Sequence, residues 1–140
     1  SPFVVIVSTI TPLSLSLGLV WEFVAAWRVI YFVFVVMGLT AVALTRLLWL
    51  GKVATLILAF VHGVAGLIIF ILPIVLSANQ AVPWGFALVG VGGAVIGLGG
   101  LLLSFLKADR PVLPQETILI VLPGLLFLMT AAFVAGFSFI

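Results

Sequence analysis

The sequence predicts an all-α integral membrane protein, a polytopic bundle of five transmembrane helices. Composition is the first reason: 66% of the 140 residues are hydrophobic, 6% are charged, and the mean hydropathy is +1.63. A soluble domain carries about 25% charged residues, so these residues cannot cover a water-facing surface. The second reason is spacing. The eight Lys, Arg, Asp and Glu side chains are Glu22, Arg28, Arg46, Lys52, Lys107, Asp109, Arg110 and Glu116. They leave apolar runs long enough to cross a bilayer, which takes roughly 20 residues of helix. Third, no run of alternating polarity suggests a β-barrel, and in hydrocarbon every backbone donor and acceptor must be paired internally.

The first span covers about residues 3–21, FVVIVSTITPLSLSLGLVW. Glu22 and Arg28 follow it, six residues apart around the apolar FVAAW. One span over 13–34 would bury both charges at about 2.5–3.5 kcal/mol each, so a tight turn is expected there. The fallback is four spans plus a broken or re-entrant N-terminal segment. The second span is about 29–49, VIYFVFVVMGLTAVALTRLLW, and the third about 53–77, VATLILAFVHGVAGLIIFILPIVLS. The fourth is about 84–106, WGFALVGVGGAVIGLGGLLLSFL, and the fifth about 117–139, TILIVLPGLLFLMTAAFVAGFSF. Pro12, Pro73 and Pro123 fall inside spans and are expected to kink or locally open them. Short links make consecutive helices antiparallel neighbours within a single transmembrane domain over residues 1–140. Only KADRPVLPQE, between spans four and five, reads as a polar loop.

Orientation follows from the basic residues. Arg46 and Lys52 flank the second connection, Lys107 and Arg110 the fourth, and Arg28 stands alone on the opposite side. That asymmetry places the second and fourth connections in the cytoplasm and the C-terminus outside, in a membrane expected to be a prokaryotic cytoplasmic membrane. Trp21, Trp27, Trp49 and Trp84 sit at the proposed boundaries, where amphipathic rings meet headgroups. The chain starts SPFVV without Met, which suggests a trimmed piece of a slightly longer protein. No basic region precedes the first apolar run, against a signal peptide.

Half the glycine lies in one span: seven of 14 fall within residues 85–100, GFALVGVGGAVIGLGG. In lipid, helices associate through close backbone approach, and small residues permit it. Gly93 and Gly97 form a GxxxG pair, with Gly85 two turns back on the same face and Gly100 beside it. Gly90 with Ala94, and Gly92 with Gly99, offer further edges. Matching small faces are Ala59/Gly63 and His62/Gly66 on span three, Ala131/Ala135 and Ala132/Gly136 on span five, and Ser14/Gly18 on span one. A dinucleotide fingerprint is absent, since GVGGAV and GLGGLL lack the third glycine and no strand precedes them.

His62 is the one histidine, about ten residues into the third span. It is expected to be neutral and hydrogen-bonded within the bundle, because an intramembrane polar group needs a partner. As a cofactor-binding candidate it could serve as sole axial ligand of a chlorophyll-type pigment or a five-coordinate haem. Glu22 and Arg28 are candidates for an interfacial or intramembrane ion pair. With no cysteine, one histidine and no paired carboxylates, neither a catalytic set nor a metal site is expected.

The residues fit an accessory or structural subunit of a larger integral-membrane complex, of respiratory or photosynthetic electron-transport type, with no catalysis of its own. Its partners are then the lipid bilayer and other membrane subunits, in a hetero-oligomer before a homo-oligomer, and no nucleic acid. No cofactor is required. The alternatives are a small oligomeric transporter or channel using His62 or Glu22, and a membrane protein binding a quinone, carotenoid, pigment or structural lipid on the glycine face.

Overall fold

Helix α1 (Pro2–Phe23) begins with Pro2 in its first turn, where proline's missing N–H would have had no partner anyway. The computed structural model describes residues 1–107 and 112–140, and of 103–107 the backbone alone. After α1 come α2 (Arg28–Leu47), α3 (Gly51–Ala78), α4 (Ala87–Lys107) and α5 (Gln115–Phe137). Short 3-10 turns, Ala25–Trp27 and Trp84–Phe86, lead into α2 and α4. No strand forms among the described residues. Among the described residues five helical segments are long and apolar enough to cross a membrane: Pro2–Phe23, Ala25–Leu47, Gly51–Ala78, Trp84–Leu102 and Gln115–Phe137. The shortest has 19 residues, about 28 Å of helix at 1.5 Å per residue.

The turn expected between Glu22 and Arg28 is present, so α1 and α2 are separate helices. The two charges do not pair across it, contrary to the ion-pair expectation. Among the described residues Glu22 is exposed without a partner, while Arg28 Nε donates to the Trp21 carbonyl. The Arg28 guanidinium also lies 5.8 Å from the centre of the Trp21 ring. The preference has a physical cause. An exposed ion pair contributes only about 0–1 kcal/mol, whereas a helix C-terminus offers unpaired carbonyls at the negative end of its dipole.

Local opening at the prolines is not seen. Helices α1, α3 and α5 run unbroken through Pro12, Pro73 and Pro123. Each proline removes one donor, and releasing neighbouring backbone groups into hydrocarbon would add to that loss. Helices α2 and α3 both end in left-handed caps on non-glycine residues, Trp49 at φ 55° and Gln80 at φ 58°. In each cap the following N–H reaches back to a carbonyl of the last turn. Leu50 donates to Thr45 at 3.0 Å, and Ala81 donates to Leu76 at 2.9 Å.

Two compact units result, Ser1–Ile69 and Phe70–Ile140, and the division falls inside α3. The core of the first unit is Leu13, Val42, Val61 and Ala65, contributed by α1, α2 and α3, with Phe34, Leu39 and Ile57 packed against it. Phe34 stacks on Tyr31 at 5.4 Å between ring centres and meets Phe60 edge-on at 6.1 Å. In the second unit, Phe86, Val89 and Ile118 are fully buried, and Phe86 meets Phe137 edge-on at 5.8 Å. Large apolar side chains are exposed on every helix, among them Phe3, Val29, Phe60, Leu98, Ile120 and Phe127. All four tryptophans are exposed at helix ends or turns.

The polar hairpin expected around Asp109 and Arg110, and the side chain of Lys107, lie outside the described residues.

Candidate functional site

Helix α4 makes close contacts, through a different set of glycines from the expected GxxxG pair. Gly85, Gly92 and Gly99 recur every seven residues, which keeps them on nearly one face. That face meets α5 in antiparallel register. Gly85 lies under the ring of Phe139, Gly92 under Phe133, and Gly99 beside Leu122 and Leu125. Helix α5 returns the contact: a Cβ on Gly136 would stand 2.7 Å from the Val89 backbone nitrogen. On another side, a Cβ on Gly90 would stand 2.5 Å from the Phe70 carbonyl oxygen and 2.7 Å from Ile74 Cγ1. Large rings of one helix therefore fill the notches that glycines leave in the other.

Gly93 is buried, but most of the rest of the expected packing face has space beside it among the described residues. A Cβ on Gly97, Gly100, Gly63 or Gly66 would meet nothing within 4 Å. Among the expected packing glycines, only Gly85 and Gly93 are thus buried or in close contact here. The reason is that α4 carries small residues on several sides, and the bulky side chains of α5 select one of them. In the first unit Gly38 does similar work, since its Cβ would stand 3.1 Å from Val61.

The polar groups of the spans are mostly satisfied locally. Thr9, Thr40, Thr45 and Thr130 each donate to the carbonyl four residues back, at 2.7–2.8 Å. Among the described residues one bond joins the side chains of two helices: Tyr31 donates to Ser16 Oγ at 2.9 Å, and Ser16 in turn donates to the Leu13 carbonyl at 3.0 Å. Reasoning from the sequence missed this pair. The signal was Thr9 and Ser16, two hydroxyls seven residues apart on α1, both fully buried with Leu13.

Two nitrogens are exceptions. His62 Nδ1 and Arg46 Nε are buried with no hydrogen-bond partner among the described residues. For His62 this departs from the expected bond within the bundle. The Leu58 carbonyl one turn back lies near the ring, in a geometry too poor to count as a hydrogen bond. Val61 and Ala65 beside it are core residues, while Gly63 and Gly66 leave free space. Arg46 lines a cavity of about 270 Å³ between the start of α1, the end of α2 and the start of α3.

Among the described residues no three His, Asp, Glu or Cys side chains come together. What the arrangement offers chemically is one imidazole beside a small-residue face, and one guanidinium at a helix turn. No protein-family model, curated protein or solved structure matches the chain.

Proposed function

We propose that the chain is a small non-catalytic accessory or structural subunit of a larger integral-membrane complex, of respiratory or photosynthetic type. The observation that carries this reading is the small residues left open among the described residues, Gly97 on α4 and Gly63 with Gly66 on α3. Glycine in a helix interior costs about 1 kcal/mol relative to alanine. Gly90 and Gly92 recover that cost through contacts inside the chain, and the open glycines do not. A neighbouring helix that approaches closely would recover it for them. Helix α5 supports the same reading, since just Ile118 and Gly136 of its residues are buried.

In this reading the complex lies in a prokaryotic cytoplasmic membrane, with the α2–α3 and α4–α5 connections on the cytoplasmic side. Purification of the tagged full chain from its native membrane in mild detergent tests the proposal. Stable co-migration with unrelated subunits is the expected result. A homo-oligomer that moves solute in liposomes would replace it with the transporter or channel reading.

A second reading rests on His62. Its buried Nδ1, without a hydrogen-bond partner among the described residues, and the free space at Gly66 one turn on suit a flat ligand, such as a chlorophyll-type pigment, a carotenoid or a quinone. The same preparation tests it through visible absorbance and extraction of bound isoprenoids. Loss of a chromophore in His62→Phe is the signature expected if His62 holds it.

A further inference from the structure

We infer that the groove at the α2–α3 turn, lined by Arg46, Gly51, Lys52, Thr55 and Leu56, binds the phosphate of an anionic phospholipid. The inference does not depend on the chain having protein partners. Charge is the first argument. Arg46 and Lys52 both face this groove, and the one acidic residue of the Ser1–Ile69 unit is Glu22. Glu22 lies in the last turn of α1, while Pro2 in its first turn shares a cavity with Arg46. Twenty residues of helix separate the two turns, about 30 Å, several times the screening length of about 8 Å at physiological salt. No carboxylate of the unit therefore neutralises the two cations.

Arg46 supplies the second argument. Its Nε is buried and has no acceptor among the described residues, and a charged donor in that state is stabilised by an incoming anion. Arg46 lines both the groove and the adjoining cavity, beside the space in which a phosphate would sit. The first turn of α3 begins at Gly51 on the same groove, with the positive end of its dipole toward the anion.

The third argument distinguishes a lipid from a free anion. Lys52, Leu56 and Phe60 follow one another at helical spacing down one face of α3, and Leu56 and Phe60 are 70% and 64% exposed. A charged rim thus continues into an apolar track, which matches a headgroup and its acyl chain. Trp49 at the turn is 79% exposed, and its backbone is held at φ 55°. An exposed indole at this turn suits the level where aromatic rings meet headgroups.

The test uses native mass spectrometry of the full chain in detergent, titrated separately with phosphatidylglycerol, phosphatidylcholine and inorganic phosphate. Phosphatidylglycerol is expected to bind at least tenfold more tightly than phosphatidylcholine. Arg46→Gln and Lys52→Gln are each expected to weaken it about fivefold, the usual worth of one basic residue at an anionic surface. Arg28→Gln, which removes equal charge at the other end of α2, is expected to leave binding unchanged. Lys52 lies in the exposed first turn of α3, so its variant stays informative even if Arg46→Gln does not fold. Equal binding of the two lipids, or equal losses in Arg28→Gln and Lys52→Gln, would overturn the site. Binding of inorganic phosphate without phosphatidylglycerol would overturn the lipid as its source.

Discussion

Gly90→Ala and Gly97→Ala are the same substitution on the same helix, seven residues apart, and the structure gives them opposite signs. A Cβ at position 90 would stand 2.5 Å from the Phe70 carbonyl oxygen. An ordinary carbon–oxygen contact is about 3.3 Å, so α3 and α4 must part there by roughly 0.8 Å. The obstructing atom belongs to a helix backbone and cannot rotate away. Overpacking of this kind costs about 1–3 kcal/mol, and alanine's better helix propensity returns about 1 kcal/mol. Because the clash is with backbone, the upper half of that range applies, and a net loss of about 1–2 kcal/mol is expected for Gly90→Ala. At position 97 nothing lies within 4 Å, so the propensity gain of up to about 1 kcal/mol stands alone. The assay is unfolding of the purified chain in mixed micelles by increasing the mole fraction of dodecyl sulfate, followed by far-UV circular dichroism and tryptophan fluorescence. If Gly90→Ala proves as stable as the parent, or if both variants shift the midpoint equally in one direction, the packing argument is wrong.

Tyr31→Phe removes the side-chain hydrogen bond from Tyr31 of α2 to Ser16 of α1, and a loss of about 0.6 kcal/mol is expected, as for interhelical bonds in bilayers; the same unfolding assay reads it, and no change would show that Ser16 finds an equal partner. His62→Phe removes a buried nitrogen that already lacks a partner, so the isolated chain should be unchanged or slightly more stable. A large loss of stability there would mean that the imidazole is bonded in the folded chain. The chain has no cysteine, so single cysteines at Asn79 and Val112 report topology cleanly. With five spans, an impermeant maleimide should label them from opposite sides of the membrane, and labelling of both from one side would refute the arrangement.

Much of the fold was legible because membrane insertion reads one-dimensional properties. The length of an apolar run and the positions of charges and tryptophans decide where helices start and stop, and bilayer thickness sets the scale. The expected bounds 29–49 and 53–77 and the observed Arg28–Leu47 and Gly51–Ala78 differ by two residues or fewer at each end. The turn at Ala25–Trp27 followed from the cost of burying Glu22 and Arg28. The ion pair expected between them did not follow, because the competing acceptor was a backbone carbonyl, which no side-chain pattern reveals.

Which glycines pack was a different kind of question. Small residues occur on several sides of α4, so the GxxxG spacing of Gly93 and Gly97 did not single out a face. The choice depends on the rotation of each helix about its axis and on its register with the next. Phe133, Phe139 and Val89 decide it, by fitting at Gly92, Gly85 and Gly136. Tyr31 and Ser16 were brought together in the same way, fifteen residues apart in sequence across a turn whose length sets the register of α1 on α2. Run length and charge determined that this chain crosses a membrane and where it turns. Side-chain volume, acting only once two helices lie side by side, decided which faces are closed within the chain and which stay open.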